Sequence, residues 1–320
     1  MFRDHNIFMT GGGGFIGSYL CERLADANRI TVFDTGHRNA IKYSKVANHP
    51  NIRIVQGDVL NRSEVSAAIK GADTVIHMAA VAGIDTVVTR PIRTMQVNLI
   101  GALNVLESAV EAKAGLSRFI MFSTSEVYGP HVYRADESGL TTQGAVGEPR
   151  WTYAVSKVAA EHLGFSYRLE YGVPVTTLRP FNVYGPRQIG EGAIRKFCIS
   201  ALKNEDLRVT GDGNQIRAWC YVDDFVDAVV GILGQEEAIG QVFNIGNPKQ
   251  TATILALAEQ VIRLSGSKSK IIFKDQPIAD VEVRVPSIQK ARRMVGFEPK
   301  VGLEEGIRKT LNWCREHGAA

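Results

Sequence analysis

The chain is short of cysteine, of long apolar runs and of clustered charge, and each shortage closes a class of function. Its four cysteines are Cys21, Cys198, Cys220 and Cys314 in 320 residues. None stands at C-x-x-C spacing from another, so neither a metal site nor a disulfide framework is expected, and a reducing compartment is the default. No apolar run approaches the roughly 18 residues of a membrane span, and no charged-then-apolar leader is seen. A cytoplasmic protein without a membrane partner is expected. Lysine plus arginine number 37 and aspartate plus glutamate 33, a net charge of +4. The basic residues are dispersed, which speaks against a nucleic-acid partner. There is no low-complexity segment and no internal repeat. What remains is 45% hydrophobic and 22% charged, ordinary for a globular chain, and long enough for two domains or for one with a lobe.

Glycine, by contrast, is concentrated. "MTGGGGFIGSYL", Met9 to Leu20, holds four glycines in a row and a fifth at Gly17. Each loses more backbone freedom on folding than any other residue. The run sits between a short apolar strand pattern, residues 6–10, and a helical one in which Phe15, Ile16, Tyr19, Leu20 and Leu24 recur. A strand-to-helix turn of glycines lets the backbone approach a pyrophosphate at the helix N-terminus. Gly12-x-Gly14-x-x-Gly17 and Gly11-x-x-Gly14-x-x-Gly17 both fit dinucleotide spacings. The test is an acidic residue about 20 positions on, closing a second strand. "RITVFDTG" ends in Asp34, twenty residues after Gly14. A carboxylate there accepts from the ribose hydroxyls and repels a 2′-phosphate, favouring NAD over NADP, although Arg38 lies near.

Strand and helix patterns then alternate: strands at 53–59, 73–78, 118–123 and 173–180, helices at 91–114 and 153–171, and a polar loop at 129–150. Near-continuous apolar strands alternating with helices predict a doubly wound parallel sheet, covered on both faces, in an α/β fold. Beyond Pro186 the regularity falters into a smaller lobe. The chain returns to the first unit around 218–234 and ends in a helix over 303–313. The expected division is residues 1–180 plus about 218–247 for the dinucleotide domain, and about 181–217 with 248–320 for the lobe.

"WTYAVSKVAAEHL" places Tyr153 and Lys157 one helical turn apart on one face. A hydroxyl-rich run, "FSTSEVYG", ends the preceding strand, where open α/β sheets bind ligands. Thr124 or Ser125 can there meet Tyr153 and a substrate. An ordinary tyrosine titrates near 10. A nearby ammonium and an oxidised nicotinamide both lower that value, making Tyr153 a base for a substrate hydroxyl while hydride leaves its carbon.

The set TGGGGFIG, Asp34, Gly57-Asp58, His77-Met78-Ala79-Ala80, Asn98, STSEVYG, YAVSK and "LRPFNVYGPR" resembles the extended short-chain dehydrogenase/reductase family over nearly the whole chain. The resemblance implies a Rossmann domain with a C-terminal lobe that grips the nucleotide of a UDP-sugar or similar substrate. It implies NAD contacts from Gly11, Gly14, Phe15, Ile16, Gly17, Asp34, Ala79, Ala80, Asn98, Tyr153 and Pro180. Asp58 and Val59 would meet adenine, and Lys157 the nicotinamide ribose. Asn182, Arg187, Arg217 and Arg284 would meet the substrate, with Thr124. Helices over 92–114 and 153–171 would pair into the four-helix bundle of a homodimer.

Members of this group oxidise C4 of the sugar. The sequel depends on the trio Thr124-Ser125-Glu126. Simple 4-epimerases resemble a serine-rich run without the acid, and one class of 4,6-dehydratases has Asp where Ser125 stands, whereas another has Thr-Ser-Glu. UDP-glucuronate decarboxylases show Thr-Ser-Glu-Val-Tyr-Gly. "VGEPRWTYAVSK" and "DVEVRVPSIQKARRMVGFEPK" are similar to the decarboxylase domain of the aminoarabinose-lipid pathway enzyme, whose catalytic arginine maps to Arg284. An arginine there also binds phosphate in epimerases. The resemblance thus implies catalytic roles for Thr124, Ser125, Glu126, Tyr153, Lys157 and Arg284 in decarboxylation. 4-Epimerisation, 4,6-dehydration and a non-enzymatic NAD sensor are the alternatives, the sensor needing neither Tyr153 nor Lys157.

Overall fold

The structure, a computed structural model, describes residues 2–112, 115–275 and 280–318. Its centre is a seven-stranded sheet: β1 (Asn6–Thr10), β2 (Arg29–Asp34), β3 (Ile52–Gln56), β4 (Thr74–His77), β5 (Arg118–Phe122), β7 (Val175–Pro180) and β12 (Val242–Ile245). They lie in the order β12-β7-β5-β4-β1-β2-β3, and every adjacent pair is parallel. From β1 the chain runs outward to β2 and β3, then crosses to β4. The C-terminal end of β1 is therefore a switch point, where such sheets bind ligands.

Strand alternation divides the core. Met9, Val32, Ile76 and Ile120 point to one face, and their neighbours Phe8, Phe33, Val75 and Phe119 to the other, as a period of two requires. The first face is covered by α1 (Phe15–Leu24) and α8 (Val222–Leu233), the second by α2 (Arg62–Ala68), α5 (Gly101–Glu111) and α6 (Thr152–Tyr171).

The long helix expected over 91–114 runs unbroken from Pro91 to Glu111, but its winding changes partway. A short α3 (Ile84–Thr89) precedes α4 (Pro91–Met95), a π turn over Gln96–Ile100 and then α5. Residues 113–114 lie outside the described residues. The expected polar loop at 129–150 contains β6 (His131–Ala135). This strand joins β10 (Ile216–Ala218), β13 (Thr251–Thr253) and β15 (Val283–Pro286) in the order β13-β10-β15-β6. Its two-residue alternation is too short and too exposed to show in sequence.

Strand pairs β8 (Val183–Tyr184) with β11 (Cys220–Tyr221), and β9 (Leu207–Thr210) with β14 (Ile271–Lys274), complete the strands. Helices α7 (Ala193–Leu202), α9 (Ile254–Ser265) and α11 (Leu303–His317) pack on one another, and α10 (Gln289–Val295) lies against β12 and α8. Their buried side chains continue the α8-side core of the large sheet without a break. Among the described residues no helix is long and apolar enough to cross a membrane.

Candidate active site

The glycine run is a tight turn between β1 and α1. Gly11 has φ +69°, and a Cβ there would lie 2.8 Å from the Ala79 nitrogen. A Cβ on Gly17 would lie 2.4 Å from the Gly12 carbonyl oxygen. Helix α1 begins after Gly14 with no side-chain cap and no acidic residue in its first turn, so the amide end at Phe15 and Ile16 suits an anion. The Asp34 carboxylate, at the end of β2, accepts from Gly13 N (3.1 Å) and Gly36 N (2.8 Å). A glycine cradle under a helix N-terminus with a carboxylate beside it fits a dinucleotide.

The other expected cofactor residues divide. Ala79 and Ala80 follow the C-terminal end of β4, and the Ala79 amide donates to Thr10 Oγ1 (3.2 Å). Pro180 ends β7. Val59 is buried, and the Asp58 carboxylate accepts from Leu60 N (3.0 Å) and Arg93 (2.6 Å). Asn98 is spent inside the protein. Its amide donates to Val81 O (3.1 Å) and Ser156 Oγ (3.0 Å) and accepts from Val81 N (2.8 Å). It ties the loop after β4 to α6 from the π turn.

On α6, Tyr153 and Lys157 share a face as their spacing requires. Lys157 Nζ donates to Phe122 O at the end of β5 (2.7 Å), and burial pushes its pKa down to about 8. The Tyr153 phenol lies near Thr124, which works to lower its pKa; Thr124 Oγ1 caps the turn Ser125–Tyr128 by accepting from Glu126 N (3.2 Å). Ser125 is buried at the start of that turn. The depressed Tyr153 expected from a nearby ammonium is not produced by the protein's own groups. Burial first, and then the Glu126 carboxylate, push the phenol well above its ordinary value. His77, under the same floor, bonds Thr10 Oγ1 through Nδ1 (2.7 Å) and is pushed down to about 3 by burial and Lys157. It is neutral.

Glu126 lies between two arginines. Arg150 Nη1 donates to its Oε2 (2.5 Å) and Arg284 Nη1 to its Oε1 (3.3 Å). Burial works to raise the carboxyl, but Arg284 and Arg150 together hold it below the usual carboxylate range. Arg284 and Arg217 are direct partners in the parallel register of β15 and β10, so their side chains leave on one side. Burial and then Arg284 push Arg217 down to about 10. Asp280 accepts from Arg217 (3.4 Å) and approaches Arg150 (3.8 Å). Three arginines thus face two carboxylates.

This cluster opens on a cleft of about 1490 Å³ between the sheet's C-terminal end and the lobe. Glu126, Arg150, Asn182, Arg217, Asp280 and Arg284 line it, with Gly83 and the start of α3, Trp219, and a rim of mixed charge in which Arg195, Lys196, Arg208 and Lys274 alternate with Glu191, Glu205, Asp206 and Asp275. Such a volume suits an elongated ligand, and the arginine cluster at its floor offers donors to an anionic group on it. Asn182 holds a left-handed backbone, φ +39°, and its amide donates to Ala218 O (2.9 Å). One expected substrate residue is not brought in. Arg187 donates to both Glu22 oxygens (2.9 and 2.8 Å) and lies 3.6 Å over the Tyr19 ring centre. It fastens the lobe's entry loop to α1.

Sequence reasoning missed Arg150 and Asp280. Arg150 stands three residues before Tyr153, a spacing that places it near the same helix end. For Asp280 no local signal exists.

A family model described as the NAD dependent epimerase/dehydratase family matches residues 7–246. The chain is 35% identical over 318 residues to a UDP-N-acetyl-alpha-D-glucosaminuronate decarboxylase of Bacillus cytotoxicus, covering 96% of this chain and 97% of that one. It is 34% identical over 317 residues to UDP-glucuronic acid decarboxylase 1 of Xenopus tropicalis, covering 97% and 72%. Among solved structures it is similar to the UDP-glucuronic acid 4-epimerase of Bacillus cereus in complex with UDP-glucuronic acid and NAD, with a TM-score of 0.89 and 28% identity over 97% of this chain and 99% of that one.

Proposed function

Because the chain belongs to the NAD-dependent epimerase/dehydratase family, we propose that it decarboxylates a UDP-uronic acid, UDP-glucuronate foremost, through a 4-keto intermediate. The observation that carries this reading is the Glu126–Arg284 ion pair (3.3 Å) held beside Tyr153, which Thr124 neighbours. NAD, for which the glycine cradle and Asp34 fit, would supply the hydride acceptor and then the hydride donor at C4 when bound. Tyr153 takes the proton of the C4 hydroxyl, and Lys157, one helical turn on and fixed on Phe122 O, is placed for the nicotinamide ribose. The resulting β-keto acid loses carbon dioxide as the bond from C5 to the carboxylate breaks and its electron pair enters the C4 carbonyl. Thr124 and Tyr153 donate hydrogen bonds to the enolate oxygen formed. C5 then takes one proton, steered by Glu126 and Arg284. With hydride return the sum is UDP-glucuronate plus a proton giving UDP-xylose plus carbon dioxide.

A second reading, 4-epimerisation, is favoured by likeness to an epimerase that holds UDP-glucuronic acid. Incubation with UDP-glucuronate and NAD⁺ separates the two, since only decarboxylation releases carbon dioxide. An NAD sensor has no need of the Tyr153–Thr124 pair.

Asp34 sets cofactor choice in this reading. Asp34→Ser removes a charged acceptor of ribose hydroxyls, an interaction of about 1.5–3 kcal/mol. NAD affinity should fall roughly tenfold or more while the gap to NADP narrows, as read by fluorescence titration; unchanged NAD affinity contradicts the assignment.

The assembly proposed is a homodimer in the cytoplasm. Ile92 and Ile100, on α4 and the π turn, are 74% and 45% exposed and line an apolar hollow of about 370 Å³, and Val155 on α6 is 39% exposed. Such a face supports helix pairing with a second copy. The four cysteines are free and buried, which suits a reducing compartment. The division proposed keeps residues 1–180 with about 218–247 for NAD, and about 181–217 with 248–320 for the nucleotide sugar.

A further inference from the structure

Arg284 is held in an arrangement that an arginine and a carboxylate do not choose by themselves. A guanidinium beside a carboxylate favours a two-pronged pair. Here only Nη1 of Arg284 reaches Glu126, at 3.3 Å. Its Nε and Nη2 are buried without a hydrogen-bond partner in the protein, although buried donors left unmade are costly. Glu126 is instead drawn to Arg150, at 2.5 Å through its other oxygen.

Arg150 is well placed to hold that carboxylate. It sits in the short turn Pro149–Trp151 that opens α6, its side chain is 4% exposed, and its guanidinium lies 5.5 Å from the Trp151 ring centre. Asp280 draws its second nitrogen from the other side, at 3.8 Å. The groups facing Glu126 are then Arg150 from that turn, Tyr153 from α6, Arg284 from β15 and Arg217 from β10, with Asp280 behind the arginines.

We propose that Arg150 is a positioning residue: by anchoring Glu126 it prevents a closed Glu126–Arg284 pair and leaves the remaining N–H groups of Arg284 to the substrate. The inference rests on the decarboxylation reading, in which Glu126 and Arg284 serve carbon dioxide loss and protonation at C5. Arg150 touches neither reacting carbon in this account. Without it, Glu126 swings onto Arg284 and each cancels the other.

The test uses the whole protein, loaded with NAD⁺ and UDP-glucuronate, in three variants. Arg150→Met removes the anchor, Arg150→Gln keeps a donor without charge, and Arg150→Lys keeps the charge. In the Met variant kcat for carbon dioxide release should fall roughly a hundredfold, the scale of a misplaced acid–base group. KM should rise, because Glu126 then occupies the Arg284 N–H groups left to the substrate, and NADH formation should fall less than carbon dioxide release. The acid limb of the pH profile should move upward, because Glu126 has lost one of its two cations. Lys should recover part of kcat. A crystal structure of the Met variant should show both Glu126 oxygens on Arg284. Wild-type carbon dioxide release by the Met variant, or Glu126 unmoved in its structure, overturns the inference. If the Met variant does not fold, the Gln variant decides on the same two readouts. A wild-type protein that epimerises UDP-glucuronate without releasing carbon dioxide overturns the reading beneath it, and so both.

Discussion

Tyr153→Phe is expected to lower turnover on UDP-glucuronate by about 10²–10⁴-fold, the usual worth of a positioned acid–base group, with NAD binding almost intact. The ring stays in its place on α6, and the Lys157 contact with Phe122 O (2.7 Å) is untouched. What goes is the one oxygen to which the proposal gives the proton of the C4 hydroxyl. The arithmetic of the site makes the effect large. Burial and the Glu126 carboxylate raise the phenol's pKa in the protein alone, so its base form depends on the positive charge that a bound oxidised nicotinamide would bring. His77 is neutral but is bonded to Thr10, and Lys157 is engaged with a carbonyl. Stopped-flow detection of NADH, with a separate titration of NAD⁺, distinguishes loss of chemistry from loss of cofactor. Substantial hydride transfer in the Phe variant would make Tyr153 structural.

The second large effect falls on Glu126 and Arg284, and it separates two reactions that share one oxidation. Decarboxylation must hold a carboxylate for departure and then protonate C5. Epimerisation must let the keto-sugar turn in the cleft and needs no acid or base at C5. Glu126→Gln keeps the shape and removes the charge between Arg150 and Arg284. Arg284→Lys keeps the charge but loses the planar fork. Each should slow carbon dioxide release by roughly 10²-fold or more, with NADH from the first oxidation still detectable in a single turnover. Removing one member of a buried ion pair costs about 3–5 kcal/mol of stability, so thermal unfolding is measured alongside. A folded Glu126→Gln variant with undiminished carbon dioxide release would falsify the role given to the carboxylate.

How legible this site was follows from how far apart its parts lie in the chain. The glycine turn, Asp34, and the Tyr153–Lys157 pair are local: one strand, one turn, one helical face. Their spacings survive in sequence because a helix repeats every 3.6 residues and a strand every two. The central sheet was legible for a similar reason, since strands buried on both faces read as continuous apolar runs. Of the arginine cluster, Arg217 and Arg284 were marked by the family resemblance alone, and Arg150 by nothing. Arg217 and Arg284 meet only through the register of β10 and β15, and β6, which completes that sheet, lies in a segment that reads as loop. Arg150 reaches Glu126 across 24 positions through a turn whose only local mark is Pro149. Arg187 misled for the opposite reason: its motif points to the cleft, but Glu22 and Tyr19, more than 160 positions away, claim it. The helix over 91–114 gave no sign of its π turn, because the apolar pattern continues through the extra residue and Asn98 is tied to Val81 and Ser156 by tertiary contacts.

Running the reaction in deuterium oxide tests the decarboxylase account most directly. UDP-glucuronate and NAD⁺ are supplied to the wild-type protein, and the nucleotide-sugar product is examined by mass spectrometry and proton NMR while released carbon dioxide is counted. UDP-N-acetylglucosaminuronate is run beside it, given the likeness to a decarboxylase named for that sugar. The account predicts one carbon dioxide per product and a single deuterium at C5, because the proton that replaces the carboxylate comes from solvent by way of the Glu126–Arg284 site. It also predicts no net accumulation of NADH when UDP-xylose is the product. UDP-galacturonate with its carboxylate intact and no deuterium at C5 would contradict the account, leaving Arg284 a ligand of the substrate rather than part of its chemistry.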